Sequence, residues 1–152
     1  MTDTAQSCLI CRQEQADPGD IVFADDRWAA GVIGGYDVPG WVVLRLRRHA
    51  EGFGQLTAEE LAQFGRRVRD VTSAVRAVTD AATTYLLMFG EANPHLHALI
   101  TPRTTDIPAD RRVGDILKLR TERGDAQAAR ALVPAIRAAY HAFAEQPAGA
   151  TP

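Results

Sequence analysis

The chain has 152 residues and a formal net charge of −2, with 46% apolar and 24% charged residues. These values are typical of one soluble globular domain and argue against a strongly basic nucleic-acid-binding protein. No apolar run is long enough to cross a bilayer and the first twenty residues lack a signal-peptide pattern, so we expect a cytoplasmic protein with neither a membrane nor a nucleic-acid partner.

Residues 1–20 are predicted to form an entry loop that carries both cysteines. Cys8 and Cys11 are separated by two residues, which indicates metal or redox chemistry rather than a disulfide framework. A thioredoxin-like pair needs a strand immediately before it, and none is predicted here. We therefore favour a metal-binding knuckle, with two unliganded thiols as the alternative.

Three short strands are predicted next, within residues 21–26, 28–35 and 41–49. In the third strand the apolar side chains of Val42, Leu44 and Leu46 alternate with the opposite face, which carries Val43, Arg45, Arg47 and His49. His49 is thus expected to end this strand on its polar side.

A long helix is the clearest element of the sequence. Thr57 and Glu60 form a predicted capping box, and Leu56 can pack on Leu61 as a hydrophobic staple. Apolar residues then recur at steps of three and four, as one buried helical stripe requires. The stripe comprises Leu61, Phe64, Val68, Val71, Val75 and Val78.

Two more strands follow, in residues 84–90 and 95–103, with a loop at 104–112. Residues 113–146 are predicted to be mainly helical, with a break or restart at Pro134, and residues 147–152 to be a disordered tail. We expect residues 1–146 to form a single α+β domain, in which a mainly antiparallel meander sheet carries one long crossing helix and C-terminal helices.

The last strand carries two histidines one residue apart. Alternation directs His95, His97 and Leu99 to one face, and Leu96, Ala98 and Ile100 to the core. Two imidazoles presented together suit either a metal site or a nucleophile with its helper. If this strand lies antiparallel to the third strand, which ends at His49, then Cys8, Cys11, His49 and His95 can together bind a zinc ion, and His97 is not needed as a ligand. The fourth histidine, His141, reads as a surface or half-buried residue.

Three stretches, CLIC, PGWVVLRLRRH and FGEANPHLHALITPR, together resemble the zinc-containing branch of the histidine triad (HIT) family. The similarity runs from about Cys8 to Arg103. The family signature is three histidines that alternate with apolar residues and precede a Pro-Arg pair. His95, His97 and the pair Pro102-Arg103 match it, whereas Leu99 occupies the place of the third histidine.

This resemblance implies a nucleotide-binding hydrolase or nucleotidyl transferase, homodimeric through the long helix and neighbouring strands. His97 matches the histidine that attacks the α-phosphorus and carries a covalent nucleotidyl intermediate. The resemblance also implies a structural zinc ion on Cys8, Cys11, His49 and His95. Asn93 and Arg103 are candidate substrate contacts; for Arg103 the alternative is that it only closes the strand.

Three departures from the family pattern bear on function. Leucine cannot donate a hydrogen bond or a proton, and loss of such a group typically costs about 10²- to 10⁴-fold in rate. A uridylyltransferase branch of the superfamily uses glutamine at this place; here Asn93, Arg45 or Arg47 are the candidate substitutes.

The family's ribose-binding acid would fall near residues 31–35, which contain no acid, and Asp37 is poorly aligned with it. The glycine-rich link before the histidines is shortened to GEANP, which reduces the expected phosphate cradle.

Two functions of different classes follow. The first is a nucleotide hydrolase or nucleotidyl transferase that uses His97. The second is a catalytically impaired nucleotide-binding or scaffold protein that is held together by a structural zinc ion, or zinc-stapled. A nucleotide or nucleotidylated small molecule is the expected partner in the first case.

Overall fold

The computed structural model describes residues 7–149. Within them, an antiparallel five-stranded sheet has the strand order β1-β2-β3-β5-β4. The strands are β1 Ile21–Ala24, β2 Trp28–Gly31, β3 Val42–Leu46, β4 Thr83–Leu87 and β5 His97–Arg103. The α-helices are α1 Ala58–Thr79, α2 Leu119–Glu122 and α3 Ala126–Ala144. The prediction of an α+β fold with one long helix between the third and fourth strands is confirmed.

Short 3₁₀ helices connect these elements. They span Cys11–Gln15, Pro18–Asp20, Phe53–Gln55, Ala109–Arg111 and Val113–Lys118. None of the helices formed by the described residues is both long enough and apolar enough to cross a membrane.

Helix α1 begins at the predicted capping box. The Thr57 hydroxyl accepts a hydrogen bond from the Glu60 backbone N–H at 3.2 Å, and the Glu60 carboxylate accepts one from the Thr57 N–H at 2.8 Å. Val71 and Val75 lie fully inside the core, as the stripe predicts. Leu61 was expected there too, but its exposure is 47%. The stripe thus extends past the part of α1 that the sheet and α3 cover.

The sheet has a hydrophobic core on each face. The first core packs the sheet against α1 and α3, and includes Trp28, Leu44, Ile100, Val71, Val133 and Tyr140. The second lies on the opposite face and includes Ile10, Trp41, Val43, Leu99, Ile107, Ile116 and Leu119. The face expected to be polar is therefore largely covered, because the N-terminal segment and residues 107–119 fold over it.

Helix α3 differs from its prediction at Pro134. The Asp125 carboxylate accepts a hydrogen bond from the Ala128 N–H at 2.9 Å and caps the helix, which continues through Pro134 without a break. Proline removes one backbone donor, which leaves the carbonyl of Arg130 without its helical partner. Pro134 is exposed, so water can serve that carbonyl. Residues 150–152 of the predicted tail lie outside the described part of the chain.

Candidate metal centre and active-site cleft

The pairing of β3 with β5 brings two histidines together. β3 ends earlier and β5 begins later than predicted, so that His49 lies three residues after β3 and His95 two residues before β5. Backbone pairing nevertheless continues beyond the strands, because the Leu96 N–H donates to the Ala50 carbonyl at 2.6 Å. The two imidazole rings lie 5.0 Å apart between centroids and nearly perpendicular.

The two cysteines complete a four-residue cluster with these histidines. Cys11 Sγ lies 3.3 Å from His95 Nδ1 and 3.4 Å from His49 Nδ1, and Cys8 Sγ lies 3.6 Å from His95 Nδ1. All four ligand atoms lie within 4.8 Å of one another. With bonds of about 2.3 Å to sulfur and about 2.0–2.1 Å to nitrogen, a tetrahedral zinc ion requires sulfur–nitrogen separations of about 3.6 Å. The cluster therefore has the dimensions of a zinc site.

Hydrogen bonds on the far side of each ring orient these ligands. His95 Nε2 donates to the Leu46 carbonyl at 2.6 Å, which leaves Nδ1 unprotonated and directed at the cysteines. His49 makes a similar but longer contact, 3.5 Å from Nε2 to the Glu51 carboxylate. Such outer contacts fix the tautomer that binds a metal.

The His95 ring is already in the form that binds a cation, whereas the two thiols must first lose their protons. Burial, followed by the hydrogen bond with Cys8, raises the pKa of the Cys11 thiol to about 11. Burial lowers the pKa of His95, so its ring is neutral. A divalent cation that displaces the two thiol protons would neutralise the resulting thiolates. Four protein ligands leave no open position, so the site fits a structural zinc ion.

His97 lies at the first position of β5, next to this cluster. Its Nδ1 lies 2.6 Å from the backbone carbonyl oxygen of His95. A carbonyl can only accept, so Nδ1 carries a proton, and in the neutral form of the ring Nε2 then holds the lone pair. A neutral imidazole held in this tautomer can act as a nucleophile through Nε2.

His97 is half-buried. The sequence had suggested instead that its ring stands free above the sheet. His97 lines a cleft of about 90 Å³. The other residues that line the cleft are Tyr36, Leu87, Phe89, Ala92, Asn93, Leu99, Leu117 and Arg120. Pockets that enclose a whole small-molecule ligand have volumes of about 300–1,000 Å³, so a nucleotide bound at His97 would extend beyond this cleft.

The residues proposed to replace the third histidine have different placements. Leu99 is only 5% exposed and belongs to the second core. Asn93 lines the cleft beside His97. Arg45 faces His97 across the β3–β5 ladder, but its guanidinium binds the Glu14 carboxylate and the Gln13 carbonyl. Of these candidates, only Asn93 shares the cleft with His97.

Arg47 and Arg103 are not brought to the cleft either. Arg47 binds the Glu14 carboxylate at 2.8 Å. Burial by itself raises the pKa of Glu14, but the hydrogen bonds from Arg47 and Arg45 have the larger effect, so the pKa lies below its ordinary value. Arg103 pairs with Thr83 at the opposite end of β5. It lies six positions after His97 along the strand, which corresponds to a distance of about 20 Å.

Two polar side chains of the cleft, those of Tyr36 and Arg120, were not predicted from the sequence. The Arg120 guanidinium lies 3.9 Å from the centre of the Tyr36 ring, and its Nε donates to the Gly35 carbonyl at 2.7 Å. Asp37, considered for ribose binding, instead accepts a hydrogen bond from the Gly35 N–H at 3.0 Å. Arg120 lies outside the stretches that carry the family resemblance, so only the fold could reveal it.

No protein-family model matches the sequence, and no curated protein matches it either. Solved structures do match the fold. A hypothetical histidine triad nucleotide-binding protein from Sulfolobus tokodaii has a TM-score of 0.69 and 20% identity, over 90% of this chain and 93% of that chain.

A zinc-bound histidine triad family protein from Mycobacterium smegmatis has a TM-score of 0.64 and 17% identity, over 91% of this chain and 96% of that chain. A diadenosine triphosphate hydrolase from Plasmodium falciparum has a TM-score of 0.62 and 11% identity, over 83% and 79% of the two chains. The chain therefore has the fold of histidine triad proteins.

Proposed function

We propose that this protein is a nucleotide hydrolase or nucleotidyl transferase that acts at a nucleotide α-phosphate through His97. The observation that carries the proposal is the hydrogen bond between His97 Nδ1 and the His95 carbonyl, at 2.6 Å. It reserves Nε2 for attack on an electrophile. The similarity of the fold to that of a diadenosine triphosphate hydrolase gives further support.

The proposed reaction has two steps. The Nε2 lone pair forms a bond to the α-phosphorus while the bond from phosphorus to the leaving group breaks, which gives a nucleotidyl-histidine. Water or another acceptor then attacks the same phosphorus, releases His97, and yields a nucleoside monophosphate or a transferred nucleotidyl group. Covalent catalysis of this kind divides one difficult displacement into two easier ones.

The identity of residue 99 affects which substrates react fastest. Leu99 cannot protonate a leaving group, and the loss of an acid typically costs about 10²- to 10⁴-fold. A phosphate leaving group is stable as an anion, whereas an amine must acquire a proton. We therefore expect a phosphoanhydride to react faster than the matched phosphoramidate.

The zinc site has a structural role in this proposal. A zinc ion held by Cys8, Cys11, His49 and His95 would fix the N-terminal knuckle to the sheet beside His97, without contact to substrate. Two thiol ligands suit a reducing compartment, which supports the cytoplasm as the location.

A second candidate function is favoured by one observation. Leu99 is buried and apolar beside His97, so the chain could keep a nucleotide site on a zinc-stapled scaffold after losing catalysis. Calorimetry with a nucleoside monophosphate, combined with an assay for turnover, separates the two candidates.

The experiment that tests the proposed enzyme is incubation with a dinucleoside triphosphate. We expect release of a nucleoside monophosphate by the wild-type protein and loss of turnover in His97→Asn. His141→Asn is the matched control, because His141 is exposed and far along α3. Binding without product would favour the scaffold, and equal turnover in His97→Asn would exclude His97 as the nucleophile.

We also propose a homodimer formed through α1 and β4. β4 is an edge strand of the sheet, and Leu61 on α1 and Leu86 on β4 are 47% and 40% exposed. Edge strands with apolar residues favour pairing with a second chain. Sedimentation analysis should give twice the chain mass, and Leu61→Arg combined with Leu86→Arg should give a monomer; a monomeric wild-type protein would contradict the proposal.

A further inference from the structure

Arg120 is the one arginine or lysine among the described residues that line the His97 cleft. The titratable side chains of that lining are Tyr36, His97 and Arg120, and it contains no carboxylate. Among the side chains of that lining, the guanidinium of Arg120 is thus the one permanent charge, and it is positive. Such a cleft favours an anion.

The guanidinium of Arg120 is held in place without being neutralised. It stacks on the Tyr36 ring at 3.9 Å, and its Nε donates to the Gly35 carbonyl at 2.7 Å. No carboxylate within residues 7–149 forms an ion pair with it. Its two terminal nitrogens are thus available to a ligand, and Arg120 is exposed.

Most other arginines of the chain form ion pairs with carboxylates. Arg45 and Arg47 bind Glu14, Arg48 binds Glu60, and Arg123 binds Asp106. Arg120 and Arg123 lie on the same short segment, yet only Arg120 lines the cleft with His97. The two residues therefore form a natural pair of test site and control.

We infer that Arg120 binds the phosphate chain of the substrate and supplies, from the C-terminal segment, the positive charge that Leu99 cannot provide next to His97. This inference rests on the proposed function, because it takes the ligand of the cleft to be a nucleotide. The planar guanidinium can donate two parallel hydrogen bonds to phosphate oxygens. Stacking on Tyr36 lowers the entropic cost of holding it in place for binding.

The test is calorimetric titration with AMP of the wild-type protein, Arg120→Gln, Arg120→Lys and Arg123→Gln at two salt concentrations. Loss of a charge-assisted hydrogen bond weakens binding by about 10- to 100-fold, so we expect that increase in Kd for Arg120→Gln. Arg120→Lys should recover part of the affinity, and Arg123→Gln should bind as the wild type does.

The salt dependence separates a direct contact from a structural effect. Binding to Arg120 weakens with added salt in the wild-type protein, and this dependence should flatten in Arg120→Gln. A Kd in Arg120→Gln within twofold of wild type, an equal loss in Arg123→Gln, an unchanged salt dependence, or no AMP binding by the wild-type protein would each overturn the inference.

The outcome is distinguishable from failure of the proposed catalysis. AMP binding that depends on Arg120, without turnover of a dinucleoside triphosphate, would sustain the inference and reject the enzyme. Turnover that depends on His97, with normal AMP binding in Arg120→Gln, would reject the inference alone.

Discussion

The backbone carbonyl of His95 accepts a hydrogen bond from Nδ1 of His97 at 2.6 Å, while the His95 ring directs its own Nδ1 at Cys8 and Cys11. One residue thus contributes its side chain to the metal cluster and its backbone to the orientation of the proposed nucleophile. Any displacement of His95 should therefore alter both sites.

Loss of one thiol should remove the metal and lower stability. In Cys11→Ser we expect the zinc content to fall from about one ion per chain to a small fraction of that. We also expect the Tm to decrease by about 5 °C or more. Elemental analysis and thermal unfolding measure the two effects. The exposed His141 provides a control, since His141→Ala should keep both the zinc and the Tm. Full zinc content in Cys11→Ser would contradict the proposed ligand set.

The capping box of α1 should make stability depend on acid pH through Glu60. Its hydrogen bond with Arg48 lowers the pKa of Glu60 from its ordinary value of 4.5 to about 2. The carboxylate thus stabilises the fold fully above pH 4.5, and this contribution declines as the pH falls towards 2. Glu60→Gln should cost about 1 kcal/mol at pH 7, because the partner Arg48 is partly exposed and screened.

Urea unfolding of the Glu60→Gln variant at pH 7, 4 and 2.5 tests this expectation. The difference from wild type should shrink across that series. Glu59→Gln is the neighbouring control, because the Glu59 side chain is 70% exposed and should contribute little at any pH. A difference that stays constant with pH would show that the Glu60 charge is not responsible.

Restoring a histidine at position 99 should destabilise the protein. Leu99 is 5% exposed in the second core, where an imidazole would lose hydration among mostly apolar neighbours. We expect Leu99→His to cost about 1–3 kcal/mol of unfolding free energy. Val113→His should change it by less than about 0.5 kcal/mol, because Val113 is 73% exposed. Equal stability of the two variants would mean that residue 99 is not part of the core.

Several features could be predicted from sequence because they depend on local patterns. The capping box at Thr57 and Glu60 requires only residues three positions apart, and it is confirmed. The grouping of His49 with His95 needed one further assumption, that the two strands pair antiparallel, and the β3–β5 register supports it.

Features that depend on distant segments could not be predicted. Alternation alone directed the His97 face towards solvent, because nothing local reveals that residues 107–119 fold over it. Arg120 reaches the cleft by the same fold, from a segment that carries no motif. The predicted break at Pro134 was wrong. The helix continues there, because its exposed face lets water satisfy the carbonyl that the proline leaves without a partner.

The most direct test of the central claim is mass spectrometry of the intact protein, quenched soon after mixing with a dinucleoside triphosphate. We predict a transient adduct with the mass of one nucleotidyl group, located on His97 by peptide mapping and absent from His97→Asn. An adduct on another residue, or unchanged turnover by His97→Asn, would contradict a nucleotidyl-histidine at this position.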